Sequence, residues 1–172
     1  MPILTTIWRK LNLPKPIQLF VVRMFESQFL IGVTGIILND KNEILLFKYT
    51  YRQTEWGLPG GYIKAKEHPQ EALEREIEEE SGFVVSADEE LKIRTDREQG
   101  RLDICFVGKL MGGEFRKSSE VTEAKFFSFD DLPMLMSKQQ LFIIEQVLFQ
   151  KKLLARSSNT SQPNHIDSFG NP

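Results

Sequence analysis

The chain has one cysteine, Cys105, so no internal disulfide can form, and a lone thiol predicts a reducing, intracellular setting. No apolar run approaches the roughly 20 residues that a membrane-spanning helix needs. The first residues are read as lacking the unbroken apolar segment and cleavage site of a signal peptide. The cytoplasm is therefore the expected compartment. An excess of one charge is missing too: 22 Lys and Arg oppose 24 Asp and Glu, for a formal net charge of −2. A dedicated nucleic-acid binder carries a basic excess, so no stable nucleic-acid partner is expected. What remains suits one globular domain. The chain has 172 residues, 41% of them hydrophobic, and at that length folding hides about two-thirds of the surface the unfolded chain exposes.

Residues 1–28 read as two short helices broken at Leu13-Pro14-Lys15-Pro16, with Trp8, Leu11, Ile17, Phe20 and Met24 among the apolar positions. Arg9, Lys10, Lys15 and Arg23 face only Glu26, so the segment is basic and amphipathic. It can lie on a membrane surface, but the expectation is that its apolar side packs on the domain or on a second subunit in a homodimer. Phe29 to Leu38 and Glu43 to Tyr51 are β-branched and aliphatic runs separated by Asn39-Asp40-Lys41-Asn42, the pattern of a β-hairpin. Arg52 to Gly61 shows neither helical nor strand period and predicts a loop. Residues 69–81 predict a helix, with Pro69 at its first position and Gly82 as its left-handed end. Strands are expected near 91–97, 102–110 and 124–129, and a last helix near 138–155. The polar residues 156–172 are left outside the domain. Domain boundaries follow: an N-terminal helical segment 1–28, a domain 29–155 and a tail 156–172. Strands and helices interleave without regular β-α-β alternation, which points to an α/β fold with a mixed sheet covered by helices on both faces.

The acids are distributed unevenly. Between Glu67 and Glu80, seven of fourteen residues are glutamate, against a single arginine, Arg75. Glu71 and Glu74 near the helix start are favoured by the helix dipole and need no functional reason. Glu78, Glu79 and Glu80 crowd the unfavourable end, where the dipole and like charges four residues apart both oppose them. At 100° per residue, Glu76, Glu79 and Glu80 share an arc of about 100°, with Glu80 beside the apolar stripe of Leu73 and Ile77. A hard divalent cation with oxygen ligands would offset that repulsion, and Gly60-Gly61 just upstream could add a backbone carbonyl.

The spacing Gly61, Glu67, Arg75-Glu76-Ile77-Glu78-Glu79-Glu80-Ser81-Gly82-Phe83 reproduces the box of the Nudix hydrolases, G-x5-E-x7-R-E-U-x-E-E-x-G-U with U bulky and apolar, at every fixed position. The chain resembles that family from about Phe29 to Val147. The resemblance implies an α/β/α sandwich, here with an added N-terminal helical segment, and Mg²⁺- or Mn²⁺-dependent hydrolysis of a nucleoside diphosphate linked to another moiety. It implies Glu79 and Glu80 as main metal ligands with the Gly60 carbonyl as a further one, Glu76 as ligand or base, Arg75 orienting Glu76, and Glu67 supporting the loop or a second metal. An acid from a later loop is expected at Glu120, six residues before Phe126, with Glu123 as the competing choice.

Lys48, Tyr51, Arg52 and Trp56 are candidate contacts for a nucleotide-type substrate, since aromatics stack on bases and basic groups meet phosphates. The family's marks for ADP-ribose (a proline about 16 residues past the box) and for dinucleoside polyphosphates (a tyrosine there) are absent; Glu98, Gln99 and Gly100 fill that zone. Cys105 in an apolar strand reads as a buried thiol and not as a catalytic one. The competing function is a ligand-sensing or membrane-associated module with weak or no turnover.

Overall fold

The computed structural model describes residues 14–26, 28–52, 55–97, 100–134 and 136–159. Helix α1 (Lys15–Phe25) leads into strands β1 (Leu30–Leu38), β2 (Ile44–Tyr49), β3 (Trp56–Gly57) and β4 (Gly60–Tyr62). Helix α2 (Pro69–Ser81), strands β5 (Phe83–Asp96), β6 (Arg101–Gly113) and β7 (Val121–Phe127), a 3-10 turn at Phe129–Asp131, and helix α3 (Lys138–Asn159) complete the order.

The β1–β2 hairpin forms where expected. The Asn39 side chain accepts from the backbone N–H of Lys41 (3.0 Å) and of Glu43 (2.9 Å), an Asx-type turn that frees Asn42 to take a left-handed conformation. β1 is the hub of a seven-stranded mixed sheet ordered β3-β2-β1-β6-β5, in which β4 also pairs with β1 and β7 with β2. β1 runs parallel to β6 along its whole length, from Leu30 against Arg101 to Leu38 against Lys109, and antiparallel to β2 and β4.

Alternation along the strands divides the core into two layers. Val33, Ile37, Leu45 and Phe47 pack on one face against Ala72, Leu73 and Ile77 of α2. Ile36, Leu38, Ile44 and Leu46 pack on the other against Ile143, Ile144 and Val147 of α3. Because both faces are covered, β1 and β2 read as continuous apolar runs and not as alternating ones. The expected α/β/α sandwich is present.

Three expectations need correction. The stretch Arg52 to Gly61 contains β3 and the start of β4, which exist because β2 and β1 offer them backbone partners, a non-local gain invisible to propensity. β5 begins at Phe83, directly after the Gly82 reversal, and not near residue 91. Helix α1 buries none of its residues, and Ile17, Leu19, Phe20, Val22, Met24 and Phe25 are exposed. Among the described residues its apolar side is therefore not in the core, whose two sheet faces α2 and α3 already occupy, and a second subunit stays the other half of the expectation. The first of the two N-terminal helices, and the tail beyond residue 159, lie outside the described residues.

Candidate active site

Helix α2 is fixed in position and rotation before any of its acids matters. His68 caps its start, accepting from the Gln70 N–H, while the Glu71 carboxylate accepts from the His68 N–H at 2.9 Å. Gly82 ends it at φ 76°, donating to the Glu78 carbonyl at 2.8 Å. Leu73 and Ile77 are completely buried against the sheet, each contributing about 1.5–3 kcal/mol of apolar burial. That packing sets where the neighbouring carboxylates point.

Glu80 is turned inward and is only 9% exposed. Its Oε2 is buried without a hydrogen-bond partner among the described residues. Burial first, then the nearby Glu120 and Glu76 carboxylates, push its pKa up to about 7, against the pull of Arg52. Glu76 lies close by at 17% side-chain exposure, while Glu79 is 55% exposed on the solvent edge of the helix.

Arg75 ties this edge together. Its Nε and Nη2 donate to the two oxygens of Glu67 at 2.6 and 3.0 Å, its Nη1 to Glu76 at 2.7 Å and to Glu79 at 3.1 Å, and its Nη2 also to the Tyr62 carbonyl at 3.2 Å. The forked pair with Arg75, helped by the Lys64 N–H, holds the Glu67 carboxyl down to about 2. The glycines let the strand before α2 approach closely. A Cβ on Gly60 would overlap the Val33 carbonyl, and one on Gly61 would overlap the Glu76 carboxylate.

These groups open onto a polar cavity of about 560 Å³, walled by Glu76, Glu80, Glu120, Gly60, Tyr51 and Arg52 among others. The Arg52 guanidinium lies 3.5 Å from the centre of the Tyr49 ring, at the foot of the same wall. Of the two loop acids, Glu120 faces the cavity. Glu123 is instead paired with Lys125 (2.8 Å) and Lys48 (3.1 Å), which lower its pKa.

Not every expected residue arrives. Lys48 is spent on Glu123 and on Glu55 at 3.6 Å, and does not line the cavity. Trp56 packs edge-on against Phe127, with ring centres 5.1 Å apart, at the border of the α3-side core. The predicted convergence of Glu76, Glu79 and Glu80 is partial: Arg75 and Lys64 hold Glu79 outward, and among the described residues no three acids, histidines or cysteines meet closely enough to enclose one cation. Cys105 is buried, as expected of an apolar strand, and burial raises its pKa.

Sequence reasoning missed the opposite wall, formed by Arg94, Arg101, Asp103 and Gln140. Asp103 is 3% exposed in β6, within the apolar stretch 102–108. A lone acid inside that apolar stretch was the available signal, because a buried carboxylate needs a partner.

The comparisons with known proteins agree with this geometry. The family model described as NUDIX domain matches residues 28–147. An ADP-ribose pyrophosphatase from Methanocaldococcus jannaschii is 35% identical over 111 residues, which are 61% of this chain and 65% of that protein. A human 8-oxo-dGDP phosphatase is 25% identical over 130 residues, 72% of this chain and 40% of its own length. A crystal structure of an ADP-ribose pyrophosphatase from Streptococcus suis superposes with a TM-score of 0.58 at 27% identity, covering 67% of this chain and 89% of that one. The matched span holds the complete box, from Gly61 of β4 through α2 to Phe83 of β5, together with the two-faced sheet and the acid-walled cavity, and the chain belongs to the Nudix hydrolase family.

Proposed function

We propose that this protein is a divalent-metal-dependent hydrolase that cleaves the pyrophosphate bond of a nucleoside diphosphate linked to another moiety. The observation that carries the reading is Glu80: a buried carboxylate with an oxygen unpartnered among the described residues, beside Glu76 and Glu120 on the wall of a polar cavity. Such a group is costly unless a cation or a proton joins it. The donor set is all oxygen, which fits Mg²⁺ or Mn²⁺. Glu80, Glu76 and the Gly60 carbonyl would hold the ion, with Glu79 on the helix edge as a further ligand and Glu67 supporting the loop. When bound, it supplies neutralisation of the phosphate oxygens and Lewis-acid polarisation of the anhydride.

The chain's own residues then have separable tasks. Arg75 positions Glu76 through the 2.7 Å hydrogen bond, and is itself anchored by Glu67. Glu120, facing the cavity, is the candidate acceptor for the proton of the attacking water. Tyr51 and Arg52 offer a ring and a guanidinium to the nucleotide.

The test is a Mg²⁺-dependent screen of ADP-ribose, 8-oxo-dGDP and nucleotide sugars, the first two suggested by the relatives' activities. One class should be cleaved, with kcat falling about 100-fold or more in Glu80→Gln. Cleavage that Glu80→Gln does not slow would overturn the assignment. The exposed apolar face of α1, which carries Lys15 and Arg23, supports a second reading, contact with an anionic membrane surface. Co-sedimentation with phosphatidylserine vesicles checks it; failure to sediment removes it.

A further inference from the structure

A second hollow of about 580 Å³ adjoins the candidate active site, and Arg94, Cys105, Gln139 and Ile143 face both. Its lining is basic. Lys92, Arg94, Arg97 and Lys138 contribute to it, and no carboxylate does among the described residues.

Asp103, on the active-site side, holds the shared Arg94 in place. Arg94 stands directly opposite it in the β5–β6 register. The buried Asp103 carboxylate accepts from Arg94 Nη2 at 3.2 Å through one oxygen, and from Arg101 Nε at 2.6 Å through the other. Gln139 fixes Arg94 from the other side, accepting from Nη1 at 3.0 Å. The Nε of Arg94 is buried and has no hydrogen-bond partner among the described residues. One carboxylate thus holds two guanidiniums and neutralises only one of them: Arg94, which lines both hollows, and Arg101, on the active-site side. Lys138 adds its charge in the first turn of α3, a turn without acids where the helix dipole favours an anion and opposes a lysine. The Lys92 ammonium sits over the Phe142 ring, 5.1 Å from its centre. Like charges gathered around a hollow repel one another, and an anion that enters it relieves that repulsion.

We propose that this hollow receives a second anionic group of the substrate, a phosphate monoester at one end of the molecule. The protein then prefers nucleoside diphosphate derivatives that carry such a phosphate over those that end neutrally. The inference rests on the pyrophosphate hydrolysis proposed above and narrows its substrate class.

ADP-ribose, ADP-ribose 1″-phosphate and ADP-ribose 2′-phosphate form the probe set, the last two adding one phosphate at opposite ends. Wild type should cleave at least one phosphorylated probe with kcat/KM about 10-fold or more above ADP-ribose, and the gap should shrink as ionic strength rises. In the Lys92→Gln/Arg97→Gln/Lys138→Gln variant the ratio should fall to within about twofold of one, a change that general damage to the fold would not produce because it lowers both rates together. Equal kcat/KM for the three probes in wild type, or an unchanged ratio in the variant, overturns the proposal. If none is cleaved, the hydrolase reading fails for this class, and calorimetric binding of the same probes still decides the hollow. Tighter binding of a phosphorylated probe that the variant loses supports it, and equal affinities overturn it.

Discussion

Glu80 keeps most of its carboxylate from water, with one oxygen unpartnered among the described residues. The cost can be measured without any substrate. Its folded pKa of about 7 lies above the ordinary carboxylate value of 4.5, so the folded protein binds that proton more tightly than the unfolded chain does. Stability is then fully retained below pH 4.5, declines as pH rises toward 7 and stays low above it. Glu80→Gln should raise the thermal midpoint of the metal-free protein at pH 8, by the equivalent of about 1–3 kcal/mol, and leave it nearly unchanged at pH 4. A melting series over that range checks the sign. Conversely, Mg²⁺ at pH 8 should raise the midpoint of wild type and do little for Glu80→Gln, since an ion that binds only the folded state stabilises by mass action. Gly60 and Gly61, adjacent in sequence, should part in their effects. Gly60→Ala meets the Val33 backbone and should cost stability, about 1–3 kcal/mol. Gly61→Ala meets first the Glu76 side chain, which can move aside more easily than backbone, so kcat should fall more than the melting temperature does.

Among the elements, α2 and α1 behave as opposites although both are amphipathic in sequence. Leu73→Ala on α2 should cost about 2–5 kcal/mol, because the side chain is fully buried between helix and sheet. Phe20→Ser on α1 should change stability by less than about 0.5 kcal/mol, since Phe20 is exposed and the helix buries nothing. Chemical denaturation of the two variants separates them directly. The same contrast explains what could be read from the chain. Helix α2, its Pro69 start, its Gly82 end and the acids on it are legible because caps, period and box spacing lie within about twenty consecutive residues. Strands β3 and β4 were not, because their existence depends on partners supplied by β2 and β1. Lys48 looked like a phosphate contact, yet Glu123, 75 residues later, pairs with it across the β2–β7 ladder. The Arg94–Asp103 pair was hidden for the same reason, since it exists only in the register of two long strands.

At the scale of the molecule, the sheet is covered on both faces, and the two hollows share Arg94, Cys105, Gln139 and Ile143. Acid gathers in the wall that α2 provides, and base in the wall that β5 and α3 provide, while the net charge of the chain stays near neutral. The parallel pairing of β1 with β6 joins segments about 70 residues apart, with Leu30 against Arg101 and Leu38 against Lys109. Such a pairing is slow to form, because a long loop must close before any contact compensates for it. A chain still emerging from synthesis has β1, β2 and α2 available well before β6 exists. Its glutamates are in place while their basic counterwall is not yet made. The cavity between them is therefore a late product of folding, and β1, exposed along the edge that β6 will cover, is the segment most prone to pair with a neighbouring chain in that interval.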